Sequence, residues 1–261
     1  MERRLSPREP RLNTRLSLRG PLNYLVVTVG GIFLWQILSS TTPLIPSPAA
    51  TAAYLQATPP QLLFDSTFTT LFNSVAGFTL ALLLSAAIAY LAYTSRAMRG
   101  IVSAYNTLIQ SVSVLVWAIV AVMVFGVTSR IPPILVTAAV AHPIILSGML
   151  GGMETVEKRY SLLVKILGLK PTEEFFEIIL PGTIPHLAAA ARSAIGVALR
   201  ISVVAEAFGA SGGIGYQIMY NYDIGIKEGV FAWGTLLVAL MVVLDRLALA
   251  PLENWVRRWL S

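Results

Sequence analysis

Stretches of mostly apolar residues recur six times along the chain, at 21–41, 68–93, 101–125, 132–152, 187–208 and 230–250. Each is about as long as the roughly 20 residues a helix needs to cross the hydrocarbon core of a bilayer. Between them the polar positions are bunched, so the pattern predicts an all-α integral membrane protein with six spans. The connection at 42–67 holds Pro43, Pro46, Pro48, Pro59 and Pro60. Proline density of that kind interrupts helix and predicts a crossover lying along the membrane surface. Small residues recur at Ala76, Gly77 and Ala81 and again at Ser147, Gly148, Gly151 and Gly152. At those points neighbouring helices are expected to approach closely.

The connection between the fourth and fifth stretches is different. It runs from Glu154 to His186 and carries nine charged residues. Val156, Tyr160, Leu163 and Leu167 follow one another at helical spacing, which predicts an amphipathic helix. That helix should stop at Gly168, which can take a left-handed cap, with Pro171 just beyond it. A second short helix is expected to begin at Thr172 as N-cap, with Glu173 and Glu174 in its first turn, and to run to Pro181. An exposed helix pair of this kind either covers the end of the bundle or docks a soluble partner.

Composition supports the membrane reading. Hydrophobic residues make up 56% of the 261 and charged residues 12%, with a mean hydropathy of +0.72. That leaves too little polar surface to coat a water-soluble globule. The net charge of +6 does not point to nucleic acid, because the basic residues gather at span ends. Arg3, Arg4, Arg8, Arg11, Arg15 and Arg19 form a basic tail at 1–20, ahead of a membrane domain at 21–261. With Arg96, Arg99, the 154–186 loop, Arg246, Arg257 and Arg258 they fall on one side, which the positive-inside rule makes cytoplasmic. Both termini are then cytoplasmic, and the tail reads as retained rather than as a cleaved signal. Cysteine is absent, which removes disulfides and thiolate chemistry. Two distant histidines give no metal signal.

The loop intervals resemble a known signature. Gly168, then Leu180-Pro181, then Pro185, fit the cytoplasmic motif of permeases from binding-protein-dependent ABC importers of the type I fold. Downstream, Arg192, Gly196 and the stretch from Val204 to Tyr216, with Glu206 and Gly209-Ala210-Ser211-Gly212-Gly213, strengthen the match. Weaker agreement extends through Pro46-Ser47-Pro48, Ala76-Gly77-Phe78, Trp117, Phe125-Gly126 and Pro143. The resemblance is to the branch that handles sulfonates, taurine and nitrate. It implies a permease subunit of a prokaryotic inner membrane, working as a homodimer or with a related permease. Two ATPase subunits dock on the loops, and an extracytoplasmic solute-binding protein delivers the solute. ATP and Mg then bind to the partner ATPase. This chain has no glycine-rich phosphate loop, is no enzyme by itself, and needs no cofactor. Closure of the ATPases would move the two loops and switch the bundle.

Two departures from the family pattern matter. Leu162, Leu163 and Val164 stand where the family has acid and alanines, which implies a more apolar docking contact. Prolines usual before the tryptophan of the third span are missing around Val112 to Leu115, which predicts a more continuous helix there.

Ionisable residues within spans are costly and so are functional candidates. Arg192 can snorkel toward the cytoplasmic edge. Arg200, eight residues on, is about 12 Å deeper and either meets a polar neighbour or lines a path that favours an anion. Sulfonate, taurine, nitrate and bicarbonate fit, and neutral or cationic vitamin precursors are the alternative. Glu206 lies near the outer end. Asn106, Gln110, Ser113 and Trp117 fall on one face of a continuous third helix and suggest a conduit or a polar seam. His142 reads as a hydrogen-bonded bundle histidine, with a path role as the other possibility, and His186 as interfacial. The Gly209-Ala210-Ser211-Gly212 segment also resembles the nucleophile loop of rhomboid proteases. There Ser211 would need His142 as its base.

Overall fold

The computed structural model describes residues 20–244 and is helical throughout them: α1 (Gly20–Thr41), α2 (Pro48–Ala57), α3 (Pro60–Thr94), α4 (Arg96–Ser111), α5 (Val114–Phe125), α6 (Ile131–Leu167), α7 (Pro171–Glu174), a π-helical turn at Phe175–Ile179, α8 (Leu180–Gly209), α9 (Ile214–Asp223) and α10 (Lys227–Leu244). Most of the basic tail and Arg246, Arg257 and Arg258 lie outside the described residues. Four helical stretches are long and apolar enough to cross a membrane, or five if α4 and α5 form one bent span. Helix α1 adds a shorter apolar helix, Val26–Thr41, among the residues whose side chains are described.

The core lies where α6 packs against α8 and α3. Ala81, Ala89, Ile145, Leu146, Ile179, Ala194 and Ala198 are closed off from solvent there. The small residues are the reason these helices come so near. A Cβ on Gly77 would sit 2.6 Å from Thr137 Cβ, and one on Gly152 would sit 2.7 Å from His186 Cβ. Neither crossing tolerates a larger residue without displacement. Gly148 abuts Ala190 in the same way, whereas Gly151 faces open space. The proline-rich connection forms α2, with Ser47 capping its N-terminus through Ala50 N–H at 3.2 Å and Pro48 in its first turn. It is held by Trp35 Nε1 donating to Pro46 O (2.9 Å) and Tyr54 OH donating to Asn221 Oδ1 (2.7 Å).

Three expectations are corrected. First, the amphipathic segment after Glu154 is not a separate loop helix. It continues the fourth span as α6, whose 37 residues rise about 55 Å, well beyond a hydrocarbon core of about 30 Å. With no glycine or proline between Glu154 and Leu167, nothing interrupts the hydrogen-bond ladder until Gly168. Second, the helix after the turn is capped two residues earlier than Thr172. Lys170 is its N-cap, Pro171 opens it, and the Glu173 carboxylate accepts the Lys170 N–H at 3.0 Å. It also does not stop at Pro181. Leu180 N–H reaches back five residues to Phe175 O, and this wider π register sits where Pro181 has no N–H to give, so the chain runs on into α8.

Third, the span from 101 to 125 is broken. Helices α4 and α5 meet at 89° across Val112 and Ser113. Prolines are not needed for the break. Val112 is extended (φ −80°, ψ 128°), and Ser113 caps α5 by accepting Leu115 N–H at 3.3 Å. A serine on each side of a β-branched residue offers the backbone local partners that compete with the helix.

Candidate functional site

At one end of the bundle, α6 projects past its neighbours and turns at Gly168. That glycine has φ +62° and donates its N–H to Val164 O at 3.0 Å, which is the left-handed cap the sequence implies. After Lys170 the chain re-enters the bundle through Phe175. Its ring is buried against Tyr90 (centroids 4.9 Å) and Tyr93 (5.0 Å) at the end of α3. Ile179 is fully enclosed and Val156 nearly so, while Tyr160 packs partly against the core. The first half of the amphipathic stripe therefore anchors the turn. The second half is open: Leu162 is 70% exposed and Ile166 72%, with Leu163, Leu167 and Phe176 also exposed. Val164 is half-buried and Gly168 exposed; Leu180 and Pro185 are half-buried and Pro181 exposed.

The base of α4 is tied to this projecting segment. Arg99 donates two hydrogen bonds to the Glu157 carboxylate, and further along Asn106 Nδ2 donates to Ser147 Oγ at 2.8 Å. Helix α4 thus runs antiparallel to α6 up to the elbow. Because of the break, Asn106, Gln110, Ser113 and Trp117 do not line one face. Asn106 is buried, Gln110 is exposed, Ser113 caps α5, and Trp117 lines a cavity of about 320 Å³ under the elbow with Tyr105 and His142. That cavity is walled almost wholly by apolar side chains. His142 is buried, with Nδ1 2.8 Å from Ser85 Oγ, so it holds α6 to α3.

Glu206 is fully enclosed. Its carboxylate accepts hydrogen bonds from Thr70 Oγ1 (2.8 Å), Asn73 Nδ2 (2.9 Å), Ser202 Oγ (3.2 Å) and Gly215 N–H (3.1 Å). Thr70 Oγ1 in turn accepts Ile214 N–H at 2.8 Å. One carboxylate therefore joins α3, α8 and α9. The glycine-rich turn explains how α9 comes so near. Gly213 has φ +105°, and a Cβ on Gly215 would lie 2.8 Å from Glu206 Cβ. Thr70, Asn73 and Ser202 were not among the sequence candidates. Their signal was available in the i, i+3 pair within an apolar span and the i, i+4 spacing of Ser202 to Glu206. Ser211, at the end of the bundle away from Gly168, and His142 line separate cavities, so the pairing a rhomboid-type nucleophile needs is not formed.

Arg200 is exposed and forms no ion pair among the described residues. It shares an open stripe of α8 with Ala189, Ser193, Val204 and Phe208.

Comparison with known proteins gives this arrangement its context. The nitrate import permease protein NrtB of Synechococcus elongatus is 33% identical over 156 residues, which cover 59% of this chain and 54% of that protein. The taurine transport system permease protein TauC of Escherichia coli is 26% identical over 165 residues, 63% of this chain and 59% of that protein. The chain thus spans somewhat more than half the length of these two relatives. The bicarbonate transport system permease protein CmpB of Synechococcus elongatus is 21% identical over 94% of this chain and 91% of its own length. Among solved structures, the inward-facing MetNI methionine ABC transporter matches with a TM-score of 0.65 at 18% identity, over 76% of this chain and 96% of that one. An amino acid ABC transporter matches at 0.63 and 18%, over 76% and 94%. These two establish the fold. Residues 77–257, which contain the projecting turn, Glu206 with its α8 and α9 partners, and the Arg200 stripe, match one family along their length, and the chain belongs to it: the binding-protein-dependent transport system inner membrane components.

Proposed function

We propose that the chain is the membrane subunit of an ATP-driven importer for a small anionic solute. The observation that carries this reading is the projecting α6–α7 turn, an apolar surface set on charged flanks at one end of the bundle. Leu162, Leu163, Val164 and the neighbouring Ile166 and Leu167 form the contact for an ATPase subunit. Gly168 sets the turn, and Leu180, Pro181 and Pro185 return the chain to the bundle. With α1 as the sixth span, both termini are cytoplasmic. The working unit is two copies of this chain with two ATPases, fed by an extracytoplasmic solute-binding protein in a prokaryotic inner membrane.

The face of α8 that bears Arg200 lines the path at the junction of the two copies. An arginine facing lipid near mid-span costs about 2.5–3.5 kcal/mol on insertion scales. A second subunit and a water-filled path remove that cost, and the guanidinium then meets the anion. Glu206, Asn106 and His142 hold helices together, whereas Gln110 and Ser113 lie open on the broken third span. The Arg99–Glu157 tie carries movement of the turn into α4. Arg200→Ala is expected to lower ATP-dependent uptake of taurine or nitrate into proteoliposomes by about tenfold or more, the weight of a charge-assisted contact. ATPase recruitment should be unchanged. Uptake at the wild-type rate would remove Arg200 from the path.

A further inference from the structure

A groove of about 680 Å³ separates α1 from α10 and is open at the protein surface. Its walls are almost wholly apolar, and Trp35 meets Phe231 across it with ring centroids 6.0 Å apart. Gly31 and Gly234 both line it, and a Cβ on either would meet nothing within 4 Å. These glycines therefore do not serve close helix packing, as Gly77 and Gly152 do; they leave room. At one end of the groove stands a cation. Val230 and Phe231 lie three and four residues after Lys227, on the same face of α10. Lys227 is exposed, and its Nζ donates to the carbonyl of Pro43, two residues before the lining residue Ile45. That contact uses one of the three ammonium donors. Glu228 follows Lys227 but points about 100° away around the helix.

The groove, the cation and their spacing specify a lipid. Apolar walls do not hold water, and the solvent around a membrane span is hydrocarbon. The lining stretch of α10 from Val230 to Val238 rises about 12 Å, close to the depth of one leaflet, half of a hydrocarbon core of about 30 Å. A helix of a second copy, about 10 Å across, cannot enter at the level of the Trp35 and Phe231 rings, whereas a chain of methylenes can lie beside them. We propose that this groove binds a phospholipid, with one acyl chain between α1 and α10 and the headgroup phosphate on Lys227 Nζ. The importer reading supplies only its orientation, which puts the lipid in the outer leaflet.

The test is native mass spectrometry of the permease–ATPase complex in maltoside micelles, titrated with phosphatidylglycerol and with diacylglycerol of the same acyl chains, which lacks the phosphate. One phosphatidylglycerol per permease chain is expected to be held about tenfold more tightly than diacylglycerol, the weight of a charge-assisted contact. Lys227→Gln should erase that preference, and Gly234→Leu, which fills the groove, should remove the retained lipid. Lys227 is exposed and Gly234 faces open space, so both variants should assemble normally. Equal retention of the two lipids by the wild-type chain, a preference that survives Lys227→Gln, or retention unchanged in Gly234→Leu overturns the site. So does a Gly234→Leu variant that loses a second copy of the chain instead of a lipid. A chain that recruits no ATPase overturns the importer reading alone, and the same titration of that chain by itself then decides the lipid site.

Discussion

Replacing Glu206 with alanine is expected to lower the thermal unfolding midpoint of the detergent-solubilised protein by about 6–12 °C. The carboxylate gathers four donors from α3, α8 and α9. The Thr70 and Ser202 hydroxyls can rotate to a backbone carbonyl, but Asn73 Nδ2 and Gly215 N–H are fixed. Leaving each buried and unpaired costs about 1–3 kcal/mol. A combined loss of about 3 kcal/mol or more corresponds to that shift at about 2–4 °C per kcal/mol for a chain of this size. Glu206→Gln should fall between, because one oxygen is kept while the new amide nitrogen faces donors. A midpoint within a degree of wild type for Glu206→Ala would show that packing alone joins α9 to the bundle.

The double substitution Leu162→Glu with Ile166→Glu is expected to abolish co-purification of the ATPase without unfolding the chain. Both side chains are about seven-tenths exposed, so the fold gives up little when they become polar. At an apolar contact two unpaired carboxylates must be desolvated, at a cost of several kcal/mol. About 3 kcal/mol already weakens association roughly a hundredfold. Tyr160→Ala, by contrast, should act through stability, since Tyr160 packs partly against the core. Undiminished ATPase recovery with the doubly charged variant would place the docking surface elsewhere.

How much of this was legible in the sequence varied with the range of the interactions involved. The apolar stretches were readable because bilayer thickness sets their length, and the Gly168 cap because one residue's backbone freedom decides it. The break at Val112–Ser113 has no proline to announce it, because serine side chains supply the alternative hydrogen bonds. The union of the fourth span with the segment beyond Glu154 was missed because a change from apolar to charged surface was read as a change of element. A helix keeps its ladder across such a change when no residue interrupts it. The π turn answers a local shortage of donors around Pro181 and has no periodic signature. Glu206 stands out as an intramembrane acid, yet two of its four partners, Thr70 and Asn73, lie more than 130 residues away on α3. Only the tertiary fold brings the four donors together around it. Arg200 remained a candidate because the single chain leaves it open.

Docking of an ATPase on the α6–α7 turn is tested most directly by site-specific cross-linking. The chain has no cysteine, so Ile166→Cys and Tyr222→Cys each present a single thiol, at opposite ends of the bundle and both well exposed. With a photoactivatable cross-linker on that thiol, Ile166→Cys should label the ATPase subunit in the ATP-hydrolysing complex and Tyr222→Cys should not. An ATPase labelled from Tyr222→Cys, or left unlabelled from Ile166→Cys in an active complex, would contradict the assignment.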